Sequence, residues 1–349
     1  MKKLAILSVL LILLFACAPA TSVKEKVSEQ RGKIGVILPL TGTFSSYGED
    51  ERSAIELALD KLGDKSFVVY EDSAGVSATG VTAFQKLKEV DNVKVIITAT
   101  SWVTSSIYPQ ANDVLQVAIA SAVMKRTRND TTIRFTADVS GEADFLAKYL
   151  EQFDRIALLH LNTDYGTGWA SILKGILGSR IVAAESYKTD EIDVSAQLAK
   201  IKASNPSAIV ILGVAKEGSL FSQKIRDLGM NAQIVGTRPI EGPALLAKPE
   251  FVEGLVYSYA TQDLNGSFAV DYEKKYGKVP SVFAAEAFDA VITLYSAMKD
   301  CDQDVSCLYS WYANKTYDGA LGHVTFDDKG DAHYPFVLKQ IKDGKFALK

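Results

Sequence analysis

Short, unbroken apolar runs alternate along this chain with stretches in which apolar residues recur every three or four positions. Ile34–Leu38 is continuous until Pro39, as in a strand buried on both faces. Beyond a loop at 39–47, Ile55, Ala58, Leu59 and Leu62 fall at helical spacing and Gly63 follows as a stop. Residues 67–70, 93–97 and 117–120 read as strands, and 81–90 and 104–114 as helices. The rhythm then repeats. Leu146, Leu150 and Phe153 mark a helix face, Ile156–Leu161 and Ala208–Leu212 read as strands, and so do 181–186 and 233–235. Residues 169–177, 195–203 and 219–228 read as helices between them, with later helices at 266–276 and 283–299. Gly322–Phe326 and 335–341 read as a hairpin turning at 327–331. This alternation predicts an α/β fold of parallel sheets covered by helices, and its two successive runs predict two similar lobes.

The first residues follow a different pattern. Met1-Lys2-Lys3 precedes an apolar run from Leu4 to Ala16, then Cys17. A basic end, an apolar core and a small residue before the boundary describe a secretion signal, and the run is short of the roughly 20 residues that span a bilayer. Leu14-Phe15-Ala16-Cys17 resembles the lipobox of lipoproteins, in which cleavage before the Cys leaves a lipid-modified terminus. Residues 1–16 are therefore expected to be a signal peptide and 17–32 a lipid-anchored tether, placing the protein outside the cytoplasmic membrane.

Composition narrows the chemistry. With 38 Lys and Arg against 42 Asp and Glu, the net charge of −4 supplies no basic face for nucleic acid. Cys301 and Cys307, separated by a loop-like segment, are either a local disulfide of an oxidising compartment or two free thiols. His160, His323 and His333 lack metal-ligand spacing, Gly166-Thr167-Gly168 is an incomplete dinucleotide fingerprint, and two Ser-x-x-Lys matches lie inside helical patterns. No nucleophile–base pair stands out, so no enzyme, cofactor or metal is expected. What remains is the content of the loops after the strands, where ligands of open α/β sheets sit. Those at 39–47, 98–104, 121–124, 162–166, 213–217 and 236–241 carry hydroxyls, aromatics and a few charges.

Five motifs, in order, carry a resemblance: Ile34–Leu38 with Pro39-Leu40-Thr41-Gly42 and Tyr47-Gly48; Asp164-Tyr165-Gly166; the run from Asp193 to Lys202; Phe288-Asp289-Ala290; and Phe326-Asp327 with Gly330-Asp331. Together they resemble the leucine/isoleucine/valine-binding type of substrate-binding protein of ABC transporters. The resemblance implies the type I periplasmic binding protein fold, two Rossmann-like lobes joined by three crossovers and closing on a ligand. It implies a first lobe of 33–139 with 263–315 and a second of 140–262 with 316–349. It also implies site roles: Tyr47 packing on the ligand, Ser101 and Trp102 holding a carboxylate, Ser121, Ala122 and Val123 adding backbone contacts, Tyr165 reaching over from the second lobe, and Phe283 lining the pocket.

Two departures bear on the ligand. Amino-acid binders of this type place an acid after the strand here ending at Gly236, whereas this chain has Thr237-Arg238, with Glu241 beyond; Val214 stands where an aromatic is usual. A buried ammonium needs a counter-charge. Either Glu241 supplies it, or the ligand is not an α-amino acid and Arg238 clamps a further anion. The expected function is delivery of a small polar solute (amino acid, amide or small carboxylate) by a monomeric, membrane-tethered receptor to an ABC permease. The alternative is a sensor of the same fold reporting to a signalling protein.

Overall fold

The structure, a computed structural model, describes residues 32–122 and 131–349. The expected signal peptide and lipidation site Cys17, and Val123, lie outside the described residues. The first lobe is built on β1 (Ile34–Leu38), β2 (Val68–Asp72), β3 (Val95–Ala99), β4 (Leu115–Ile119) and β5 (Thr132–Arg134), alternating with α1 (Ser45–Leu62), α2 (Ser77–Glu89) and α3 (Ser101–Ile107). Its strands lie parallel in the order β2-β1-β3-β4-β5. β1, β3 and β4 are buried along their whole length, which is why they read as nearly continuous apolar runs, interrupted only by Thr98 and Gln116, rather than alternating ones.

The second lobe follows with α4 (Val139–Leu150), β6 (Ile156–Leu161), α5 (Asp164–Leu177), β7 (Ile181–Tyr187), α6 (Ser195–Ala203), β8 (Ala208–Leu212), α7 (Ala215–Asp227), β9 (Gln233–Gly236), α8 (Pro249–Val252) and β10 (Val256–Ala260). Its parallel core runs β7-β6-β8-β9-β10, the same arrangement strand for strand as the first sheet. In each sheet the order reverses beside the first strand, opening a crevice at the carboxyl ends between β1 and β3 and between β6 and β8.

The chain passes between the sheets after β5, after β10 and once more near the end. The second passage leads into α9 (Ser267–Tyr276), α10 (Val282–Cys301) and α11 (Val305–Tyr312), of which α10 packs along α1. Cys301 and Cys307, with Cα atoms 5.5 Å apart, form a disulfide between α10 and α11. A small antiparallel sheet of β11 (Thr316–Gly319), β12 (Gly322–Phe326) and β13 (Ala332–His333) bridges to β5 through Arg134 and Asp331. β14 (Phe336–Lys342) and β15 (Lys345–Leu348) then extend the second sheet antiparallel to β10.

The expected hairpin of Gly322–Phe326 with 335–341 is therefore not formed. β12 turns at Asp327–Gly330 onto the short β13, and Tyr334-Pro335 carries the chain to the other sheet, where β14 turns at Asp343-Gly344 onto β15. Proline cannot donate to a ladder, so the run from β12 could not continue through Pro335 as a paired strand.

α1, α5 and α7 begin several residues before the apolar repeat predicts, at Ser45, Asp164 and Ala215. Their first turns point at the crevice between the lobes instead of at a sheet, so they lack the apolar periodicity of a core-facing stripe.

Candidate functional site

Each lobe brings a Tyr-Gly pair to the opening turn of the helix after its first strand: Tyr47-Gly48 on α1 and Tyr165-Gly166 on α5. A Cβ on Gly48 would lie 2.3 Å from the Pro39 carbonyl oxygen, and one on Gly166 2.0 Å from that of Leu161. Only glycine allows the helix to seat this close to its strand. Both tyrosines consequently line one cavity between the two crevices.

The first lobe contributes Phe44, Tyr47, Glu51, Thr100, Ser101, Trp102, Ala120 and Ala122 to this cavity, and α10 contributes Phe283. Thr136 enters from the first crossover, and Leu161, Tyr165, Val214, Arg238 and Pro239 close it from the second lobe. Its free volume is about 60 Å³, room for a few waters at roughly 10–15 Å³ each. The lobes are closed over it. The Tyr47 hydroxyl donates to the Pro239 carbonyl at 2.8 Å and accepts from the Ala215 N–H at 3.1 Å, and Thr43 donates to Asp190 at 2.6 Å.

Aromatic edges set the shape of the cavity. Phe44 and Trp102 meet at 4.9 Å between centroids, and Tyr47 packs edge-on to Phe283 at 5.9 Å. Trp102 donates its indole N–H to the Gly75 carbonyl at 2.7 Å, so it is held as an apolar wall. Tyr165 shares a 2.5 Å hydrogen bond with Thr237. Thr100 and Ala120, at φ +67 and +47, hold the left-handed region that residues with a Cβ rarely adopt, and both line the cavity. Among the described residues, the hydroxyls of Thr100 and Ser121 and both carboxyl oxygens of Glu51 are buried without a hydrogen-bond partner.

Arg238 forms part of the wall but is not a free anion clamp. Its guanidinium lies 2.8 Å from Glu142 and 3.5 Å from Glu286, and donates to the Tyr334 hydroxyl and the Ala137 carbonyl, both at 3.1 Å. Burial alone would lower its pKa; Glu142, Tyr334 and Glu286 more than offset that, so it stays charged. Glu286 on α10 also accepts from the Ala120 N–H at 2.8 Å and Thr136 at 2.6 Å, while Ser258 donates to Glu142 at 2.6 Å. The network thus joins both lobes to residues at all three passages of the chain: Thr136 and Ala137, Ser258, and Tyr334. At 2% exposure, Arg238 is buried rather than turned to solvent.

Of the residues expected from sequence, Tyr47, Ser101, Trp102, Ala122, Tyr165, Arg238 and Phe283 line the cavity. Ser121 lies just behind it, buried, with its N–H on Thr136. Glu241 does not line it; its carboxylate pairs with Lys339 at 2.5 Å and accepts from Tyr257, because β9 ends in a 3-10 turn that carries it past the wall. Glu51 went unnoticed in the sequence. Its signal is the spacing from Tyr47: once α1 starts at Ser45, positions 47 and 51 share a face, and an acid stands in the stripe of Ile55 and Ala58.

A model of the periplasmic binding proteins matches residues 32–345. The chain belongs to the periplasmic binding protein family. Within it, this protein is similar to Leu/Ile/Val-binding protein homolog 2 of Brucella abortus, at 26% identity over 90% of this chain and 92% of that one. Among solved structures, an extracellular ligand binding receptor from Desulfohalobium retbaense is 37% identical with a TM-score of 0.88 over 91% of this chain. This chain spans 59% of that receptor's length. The leucine binding protein LivK of Thermotoga maritima is 25% identical with a TM-score of 0.81, covering 91% of this chain and 97% of its own. The family is one of substrate-binding proteins of the Leu/Ile/Val type, which catalyse no reaction. Among the described residues no group of three or more His, Cys, Asp or Glu is placed to hold a metal, and no helix is long and apolar enough to cross a membrane.

Proposed function

We propose that this protein is a lipid-anchored extracytoplasmic receptor that captures a small polar solute (an amino acid, amide or small carboxylate) and delivers it to an ABC permease. The observation that carries the reading is the cavity assembled from the matching crevices of two lobes, with Tyr47 and Tyr165 entering it from equivalent positions. A solute held there touches both lobes at once and so favours their closed arrangement, the form a transporter can distinguish from the empty one. Phe44, Tyr47, Trp102, Tyr165 and Phe283 would pack on its apolar part. Ser101 and Ala122 would serve its carboxylate, with Ser121 behind them. The names of the relatives, Leu/Ile/Val-binding and leucine binding, favour an amino acid.

The order Met1-Lys2-Lys3, apolar run and Cys17 supports the anchor, and the protein acts as a monomer, one solute to one chain. Uptake of radiolabelled solutes by cells lacking the gene tests delivery. The proposal expects loss of uptake of one solute class, restored by the parent gene. Restoration should fail with Cys17→Ser, whose product should leave the membrane fraction or remain unprocessed. Undiminished uptake of every solute tested in the deletion strain would contradict it.

A further inference from the structure

We infer that Glu51 is the counter-charge for a protonated amine on the ligand, so that the solute is a compact α-amino acid whose ammonium sits against α1. The inference rests on the solute-binding reading and specifies its ligand. Glu51 lines the cavity, is 1% exposed, and neither of its oxygens has a hydrogen-bond partner. A buried polar group without a partner is costly to the folded protein, and a carboxylate most of all. Among the described residues nothing relieves it. Burial, with the negative charges of Glu286 on α10 and of neighbouring Asp50, holds its carboxyl well above the usual carboxylate range. Arg238 borders the same cavity, but its guanidinium is already held by Glu142, Glu286, Tyr334 and the Ala137 carbonyl.

A ligand ammonium would supply what is missing. It would hydrogen-bond Glu51, restore its charge and sit near the rings of Tyr47 and Phe283, whose faces favour cations. In the same cavity wall, the Thr100 hydroxyl beside Ser101, without a partner among the described residues, offers a donor to a carboxylate. Two orphaned polar groups of opposite use, one acceptor and one donor, match the two ends of a zwitterion.

The test is titration calorimetry on the purified protein and on Glu51→Gln. The ligands are L-leucine, L-valine and L-alanine, and their counterparts without the amine: 4-methylpentanoate, 3-methylbutanoate and propanoate. The parent should bind at least one amino acid at least about 30-fold tighter than its amine-free counterpart, the range set by removing one partner of a buried charge pair. Glu51→Gln should erase that ratio and keep the parent's thermal stability or exceed it, which separates lost recognition from lost folding. Amine-free acids binding as tightly as the amino acids would overturn the inference while leaving the solute-binding reading intact. Unchanged amino-acid affinity in Glu51→Gln would do the same. If none of the six compounds binds the parent, the inference fails and the amino-acid form of the solute-binding reading fails with it.

Discussion

Asp50 and Glu51 are neighbouring carboxylates on α1 with opposite surroundings. Asp50 accepts from Tyr272 at 2.6 Å and from the N–H and hydroxyl of Ser281, and pairs with Lys278 at 2.9 Å. Glu51, turned a further 100° around the helix, faces the cavity and meets no donor among the described residues. One position fastens α1 to α9 and α10; the other is left for something that comes from outside.

Glu51 should therefore make the empty protein less stable as pH rises. Its folded pKa is raised, so the folded state holds a proton that the unfolded chain releases near pH 4.3. Stability is retained below that pH and declines as pH climbs through the folded value. Glu51→Gln does not titrate, so its unfolding free energy should exceed the parent's by a margin that widens from pH 4 to pH 8, reaching about 1–3 kcal/mol. Scanning calorimetry of both proteins checks this; a margin independent of pH would refute an unpaired Glu51.

Tyr47 joins the lobes through its hydroxyl. Tyr47→Phe keeps the edge-on packing against Phe283 and removes the bonds to Ala215 and Pro239. Closure should weaken by about 1 kcal/mol, read as roughly five-fold weaker solute binding. Small-angle X-ray scattering should show a larger radius of gyration for the empty variant than for the empty parent.

Arg238 is a structural cation before it is anything else. Arg238→Met strands Glu142 and Glu286 in a buried site, and removing one partner from such a network costs about 3–5 kcal/mol. Denaturant unfolding should show that loss. A midpoint equal to the parent's would mean the ion pairs contribute nothing.

Reducing the Cys301–Cys307 bond should have a small effect. Its loop is short, so the constraint on the unfolded chain amounts to no more than about 2–3 kcal/mol. Melting curves with and without reductant measure it, and unaltered melting after alkylation of both thiols would show that the bridge adds no stability.

Much of the fold could be read in the sequence because the strands that carry it are local events. β1, β6 and β8 are buried on both faces, and their apolar runs end where the strands end. β5, three residues including Thr132 and Arg134, and β10, which interleaves Val256, Tyr257, Ser258 and Tyr259, carry no such run and pass unnoticed. The destination of β14 was invisible for another reason: pairing with β10 is decided by the second sheet's free edge, 80 residues back in the chain. At the site, residues following strands were readable by position, and Tyr47, Trp102 and Tyr165 reach the cavity. Arg238 and Glu241 were misread because their partners are distant: Glu142, Glu286 and Tyr334 in one case, Tyr257 and Lys339 in the other. A charge at a strand end says that an ion is there, not which ion answers it.

The most direct measurement of the central claim, that a solute binds between the lobes, is titration of the purified protein with L-leucine, L-isoleucine and L-valine. It is repeated on Ala122→Trp, whose indole would occupy the cavity. Circular dichroism confirms that the variant is folded. The account predicts one saturable site per chain in the parent for at least one of the three, and its loss in Ala122→Trp. Binding that survives in Ala122→Trp at the parent's affinity would place the solute elsewhere and contradict the account.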